Sequence, residues 1–575
     1  MAELIRLLKN NRRDGILAPT FKLLEATFEL LVPLVVAAMI DAGTADGHTG
    51  WRFALLLLMS LVGFGCTVVA QFFAARASSG AAGALRQRMF ERIGALSFSQ
   101  LDRLGGDTLI TRLTDDVNQI QNGLNLGLRL LLRSPFIVFG AMIMAFTIDL
   151  HCALIFAVTI PLLFAVVYGI MLLSIPLFGR AQAGLDRVTA MTRENLTGVR
   201  VIRAFRREER SVEEFEQSSR ALTKLNLFVG RISAAMNPLT YLMINLATVL
   251  LIRKAGLQVE LGVLRRGQAV ALYNYMLQII VELVKMASLI ITLNRSAACA
   301  RRAAELMNTQ PSMQYPAWDT APADSAAPAV EFEDVSFRYD GAGADCLSHI
   351  SFSAQPGQTV GIIGGTGSGK SSLIGLIPRF YDASSGVVRL EGRDVHTLSR
   401  DTLCREVGVV PQKAVLFSGT IRENLRYGCP AATDDELWRA LELAQAKQVV
   451  QEKPGALDFI VEQGGRNLSG GQRQRLTIAR ALVMRPKILI LDDSSSALDY
   501  ATDAALRRAI ASLRSETTTF LVSQRIACVR SADLILVLDN GSLVGMGTHE
   551  SLQTSCAVYR EICASQLTKG EDGHE

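Results

Sequence analysis

The chain has 575 residues, 49% of them hydrophobic and 20% charged, an apolar share high for a soluble protein of this length. A net charge of +5 is modest and gives no sign of nucleic-acid binding. Nine scattered cysteines with no C-x-x-C spacing, and six histidines in no ligand cluster, argue against a disulfide framework and against a zinc site.

The apolar excess lies in the first three hundred residues. Uncharged stretches at 53–75, 151–179 and 232–252 each supply the roughly 20 residues that a membrane-spanning helix needs. Weaker spans at about 16–39, 130–148 and 268–293 bring the expected total to six. The first apolar run has no small-residue cleavage site and continues as a span, so it does not read as a cleaved signal. Arg6, Lys9, Arg12 and Arg13 precede the first span, and segments 76–128 and 180–231 are Arg-rich. The loops near 41–51 and 149–151 carry almost no basic charge, which places both chain ends in the cytosol. Arg265 and Arg266, in the third outer loop, are too few to invert six spans.

Of the charges inside these spans, four stand in close pairs. Glu25 and Glu29 share one helical face four residues before Pro33, and Glu282 and Lys285 stand three apart in the sixth span. A charged side chain in the bilayer costs around 2.5–3.5 kcal/mol on insertion scales, so each needs a partner or water. Two readings stand: a polar cavity that takes cationic or amphipathic molecules, or glue between helices plus a self-contained Glu282–Lys285 ion pair.

Residues 310–328, rich in Pro, Ala and Asp, read as a linker between a membrane domain (1–309) and a second domain (329–565), with 566–575 as a tail. The second domain alternates strands and helices. The expected fold class is therefore an all-α six-helix membrane domain followed by a cytosolic α/β domain, whose nucleotide-binding character rests on the motif that follows.

Within that domain Gly364, Gly365, Thr366, Gly367, Ser368, Gly369, Lys370 and Ser371 match G-x-x-x-x-G-K-[ST] at every fixed position. A buried strand (359–363) precedes them, and Ser371 and Ser372 open a helix. Glycines let backbone N–H groups wrap a phosphate chain, which a Cβ would obstruct. Lys370 reaches the β- and γ-phosphates of ATP, and the Ser371 hydroxyl ligates Mg²⁺. Further on, the apolar run 488–491 delivers Asp492 at a strand's carboxyl end, where it holds the same Mg²⁺ through water.

The run Leu468, Ser469, Gly470, Gly471, Gln472 is more specific still. With Val410-Pro-Gln412 and Ser496-Ala-Leu-Asp499 it resembles the ATP-binding cassette (ABC) transporter family, and the resemblance covers essentially the whole chain. It implies two cassettes paired head to tail, with ATP held between one chain's phosphate loop and the other's signature run. Ser469 and the glycine amides then face the γ-phosphate from the opposite side. It also implies that Tyr339 stacks on adenine, that Gln412 senses Mg²⁺ and the attacking water, and that Asp499 crosses the dimer interface. Residues 99–106 and 194–205 resemble the two cytosolic coupling segments of exporter-type members.

Three positions depart from the family pattern. The glutamate expected after Asp492 is Asp493, one methylene shorter, and the switch histidine is Gln524, an amide that carries no proton or positive charge. Glu462-Gln-Gly-Gly465 replaces the usual Gly-Glu-x-Gly. Together they resemble the degenerate subunit of heterodimeric bacterial exporters. Such a subunit binds ATP and hydrolyses it poorly at its own site. Its signature run completes the competent site of a second half-transporter that carries Glu and His. The expected cargo is an amphipathic small molecule, drug, lipid or peptide moved out through the bacterial plasma membrane. A slow homodimer and a mainly regulatory, ATP-locked subunit are the competing readings.

Overall fold

The computed structural model describes residues 12–43, 49–320, 322, 324, 326–494 and 497–571. Arg6 and Lys9 of the basic tail, most of the first outer loop, Ser496, and the final residues 572–575 lie outside them. The described chain divides into two compact units, one of residues 1–94 and 106–309, the other of residues 95–105 and 310–575.

Among the described residues, the first unit holds six helices long and apolar enough to cross a membrane: Arg12–Ala42, Gly50–Ala95, Gly106–Ile148, Leu150–Thr197, Glu208–Glu260 and Arg266–Asn308. The longest has 53 residues, or about 80 Å at 1.5 Å per residue, far more than a bilayer requires. That helix is therefore too long to lie within the bilayer alone. Pro19, Pro33, Pro161, Pro176 and Pro238 sit inside these helices without ending them. Asp149 separates the third and fourth spans and caps the latter, its carboxylate accepting from Cys152 N–H at 2.7 Å. At the outer ends of the first and sixth spans the backbones nearly touch. A Cβ on Gly267 would lie 2.1 Å from the Ala37 carbonyl oxygen, and Gly267 N–H donates to Asp41 Oδ1 at 2.6 Å.

The second unit is built on a six-stranded sheet. Its strand order is Ser542–Gly547, Leu534–Asp539, Thr359–Gly364, Thr518–Val522, Ile488–Asp492, Val407–Val410, parallel throughout except for the first pair. The central strand Thr359–Gly364 is buried on both faces, as its unbroken apolar run requires. A four-stranded antiparallel sheet that includes Val330–Phe337 and Leu347–Ala354 packs beside it.

The segment 310–320 lies along this unit instead of hanging free between domains. Tyr315 donates its hydroxyl to the Arg379 carbonyl at 3.0 Å, and Asp319 accepts from Ser399 N–H at 2.8 Å. The first segment expected to be a coupling segment holds a short helix, Phe98–Leu104, opened by a Ser97/Gln100 capping box. It belongs to the second unit: the Phe98 and Phe380 rings lie 4.4 Å apart, and Tyr381 donates its hydroxyl to Asp102 at 2.8 Å. The second coupling segment forms the helix Val199–Ala204, of which no residue is buried.

Candidate functional site

Sheet register explains why distant residues meet. Val522 lies beside Asp492 and beside Ile362, Leu491 beside Val410, and Leu538 beside Gly364. The carboxyl ends of the parallel strands are thus level, and the loops leaving them share one crevice, the usual ligand position in open α/β sheets. A cavity of about 260 Å³ opens there, lined by Thr366, Gly367, Lys370, Ser371, Gln412, Asp492, Asp493 and Gln524 among others.

The loop itself fits a phosphate chain. Gly367 and Gly369 have φ of +81° and +94°, and a Cβ on Gly369 would meet Leu347 at 2.7 Å. Lys370 Nζ donates to the carbonyls of Gly364 at 3.0 Å and Gly365 at 2.5 Å and to Ser368 Oγ at 3.3 Å. A cation held only by neutral oxygens is available to an anionic ligand, whose charge-assisted bonds are stronger. Burial lowers the Lys370 pKa, and Asp492 and Asp493 oppose that shift. Ser371 Oγ donates to Asp492 Oδ2 at 3.0 Å, so the two oxygens named as Mg²⁺ ligands are adjacent. Burial, with some help from Asp493, raises the Asp492 pKa. A divalent cation would reverse that by supplying the missing positive charge.

Asp493 has a left-handed backbone, φ 45°, and its N–H donates to the Val522 carbonyl at 2.9 Å. Gln412 Nε2 reaches Asp493 Oδ2 at 3.5 Å, the outer limit of a hydrogen bond. Tyr339 lies near the same loop, its hydroxyl 2.9 Å from Ser372 Oγ and its ring edge-on to Tyr381 at 5.3 Å. The remaining predicted residues are elsewhere. None of Leu468 to Gln472 lines the cavity. Ser469 caps the helix Gly470–Val483 in a capping box with Gln472, which leaves an exposed helix N-terminus. Asp499 caps the helix Tyr500–Ala511, accepting from Thr502 N–H at 2.8 Å. The Glu462 to Gly465 loop closes as a short turn with Gly464 and Gly465 at positive φ.

Two family profiles match the chain: "ABC transporter transmembrane region" over residues 16–283 and "ABC transporter" over residues 347–496. An uncharacterised ABC transporter ATP-binding protein of Mycobacterium tuberculosis is 37% identical over 551 residues, which is 95% of this chain and 94% of that protein. The chain belongs to the ABC transporter family. A multidrug efflux ATP-binding/permease protein of Mycobacterium bovis is 30% identical over 98% of this chain and 47% of its own length. Among solved structures, a bacterial Atm1-family ABC exporter with ATP bound superposes with a TM-score of 0.79 at 25% identity, covering 96% of this chain and 98% of that one. This chain is accordingly an ABC exporter half-transporter, a multi-pass protein of the bacterial plasma membrane.

In the membrane unit of this half-transporter the structure corrects one reading. Glu282 and Lys285 do pair, at 3.0 Å, but the pair is not self-contained. Arg133, a residue the sequence reading passed over, bonds Glu282 Oε1 and Glu29 Oε2, each at 2.6 Å. Its Nε lies 3.8 Å from Glu25 Oε1. Ser134 donates to the other Glu282 oxygen at 2.7 Å, and Lys22 pairs with Glu25 at 2.5 Å. Lys22, Arg133 and Lys285 thus balance Glu25, Glu29 and Glu282. Counted along the helices, Glu29, Arg133 and Glu282 lie about 20–24 Å from Ala42, Ile148 and Arg266, the ends of their helices. Arg133 and Glu282 are buried, whereas Glu29 and Lys285 have side chains 39% and 44% exposed.

Proposed function

We propose that this chain is one half of a two-chain ABC exporter, binding MgATP in its own cavity, hydrolysing it slowly there, and completing the competent site of a different partner chain. The observation that carries this reading is the composition of the cavity wall. The groups that hold phosphates and metal (Lys370, Ser371, Asp492) are all present, while those that would handle the attacking water are the shortened Asp493 and the uncharged Gln524.

Bound MgATP supplies the γ-phosphoryl bond whose cleavage drives the cycle. The glycine loop and Lys370 hold the phosphates, and Ser371 and Asp492 hold the metal. Gln412 and Asp493 orient water, with a reach shortened by one methylene, where general-base positioning contributes about 10²–10⁴-fold. Ser469 to Gln472 point at no nucleotide of their own chain, which suits a signature run that serves the partner, with Asp499 at the interface between cassettes. Tyr339 stacks on adenine. The cargo is amphipathic, in keeping with the multidrug efflux relative. Because that relative is about twice as long as the matched region, it has room for two such units in one chain. Glu29 and Lys285, the exposed ends of the charge network, are the residues of that group placed to meet cargo.

A slow homodimer has one observation in its favour: Asp493 is still a carboxylate within reach of Gln412. Affinity purification of the chain from its source cells, followed by sequencing of whatever co-purifies, separates the two. A second half-transporter with Glu and His at the two positions supports the proposal; recovery of this chain alone, as a dimer, overturns it.

A further inference from the structure

The helix Ala557–Glu571 sends one side chain onto the segment that follows the strand Thr518–Val522. Gln566 Nε2 donates to the Gln524 carbonyl at 2.7 Å, and Gln566 Oε1 accepts from Ile526 N–H at 2.9 Å. One planar amide therefore holds two backbone groups on either side of Arg525. The upstream end of the segment is tied to the sheet, with Ser523 N–H donating to the Ile362 carbonyl at 3.1 Å and Arg525 N–H to Ser523 Oγ at 3.0 Å. On the other side, one residue beyond Ile526, the Ala527 carbonyl accepts from Arg507 Nη1 at 2.6 Å. There the segment borders a cavity of about 840 Å³ whose walls include Arg525, Ile526, Cys528, Arg530, Cys563 and Gln566. Between those ties, the backbone on either side of Arg525 is held by the amide's two bonds. Gln524 itself lines the nucleotide cavity with Lys370, Ser371 and Asp492.

We infer that Gln566 is a positioning residue for the nucleotide site: it fixes the backbone of the Gln524 segment and so makes turnover depend on the docking of the chain's last described helix. The inference rests on reading Gln524 as the switch position. Gln566 touches no nucleotide, so its loss should leave MgATP binding alone and act on turnover.

The test uses the full-length protein in lipid nanodiscs. With Gln566→Ala, amide hydrogen exchange at Ile526 should accelerate severalfold to about tenfold, the range expected for one lost hydrogen bond, while the strand Thr518–Val522 stays protected. In an Asp493→Glu, Gln524→His background, Gln566→Ala should lower kcat by a similar factor at unchanged KM for MgATP and unchanged melting temperature. Gln566→Glu keeps the acceptor for Ile526 N–H but loses the donor to the Gln524 carbonyl, so it should retain protection at Ile526 and still lower kcat. Unchanged exchange, faster exchange with unchanged kcat, or a fall in kcat that follows a fall in melting temperature would each overturn the inference. Brisk hydrolysis by the unmodified chain would remove the two-chain reading and leave this test intact, because exchange at Ile526 is read without turnover.

Discussion

Asp493 carries two constraints at once. Its backbone sits at φ 45°, a conformation in which aspartate is several-fold enriched among non-glycine residues. Its carboxylate meets Gln412 only at 3.5 Å. Lengthening the side chain by one methylene closes that gap, and a histidine at 524 restores a group that can carry charge to the γ-phosphate. Asp493→Glu with Gln524→His should therefore raise kcat by about 10²-fold or more at nearly constant KM, measured as steady-state phosphate release. Asp492 gives a second expectation. Burial raises its pKa, and only the ionised carboxylate binds Mg²⁺, so protons compete with metal. Mg²⁺-dependent ATP binding should weaken in acid while the pH is still above the ordinary aspartate value of about 3.9. Asp492→Asn should lessen that pH dependence, leaving the part that comes from protonation of ATP's terminal phosphate, as read by nucleotide titration across pH.

Among the elements, the first, third and sixth spans show what buried charge does in a membrane. Arg133 joins three carboxylates from two other helices, and its removal leaves Glu282 buried with only Lys285 and Ser134. Arg133→Leu should cost about 3–5 kcal/mol, seen as a lower unfolding temperature in detergent, and adding Glu282→Gln should recover part of it. Glu29→Gln, at a half-exposed group, should cost about 0–1 kcal/mol. If it also alters stimulation of ATPase by amphipathic compounds, the exposed end of the network meets cargo. Unchanged stimulation leaves the network a structural tie between helices.

The same elements show what a sequence discloses. The phosphate loop is legible because its glycines, Lys370 and Ser371 act within eight residues, flanked by a strand and a helix that periodicity alone marks. The six spans are legible because twenty apolar residues are a local property. The Arg133 network is not, since hydropathy registers a charge and says nothing of partners 104 and 149 positions away. Gln566 was hidden for the same reason, its target lying 42 residues upstream. Residues 99–106 resemble a coupling segment in sequence, but the bond from Tyr381 to Asp102 depends on tertiary packing.

At the scale of the whole molecule, the chain is half a machine. The run Leu468 to Gln472 does not line its cavity, and Ser469 caps a helix with an exposed N-terminus. Ser469→Ala should cost about 1 kcal/mol as a lost helix cap, and in the assembled transporter it should depress hydrolysis at the partner's site without weakening ATP binding to this chain's own cavity. Nucleotide trapping in the purified complex would show which of the two sites has failed.

The most direct measurement is Mg²⁺-ATP hydrolysis by the purified full-length chain alone in lipid nanodiscs, beside its Asp493→Glu, Gln524→His variant. Near-zero turnover by the native chain, with clear recovery in the variant, is the expected result and makes the site a binding site that needs a partner. Brisk turnover by the unmodified chain would contradict it and identify a self-sufficient homodimeric exporter.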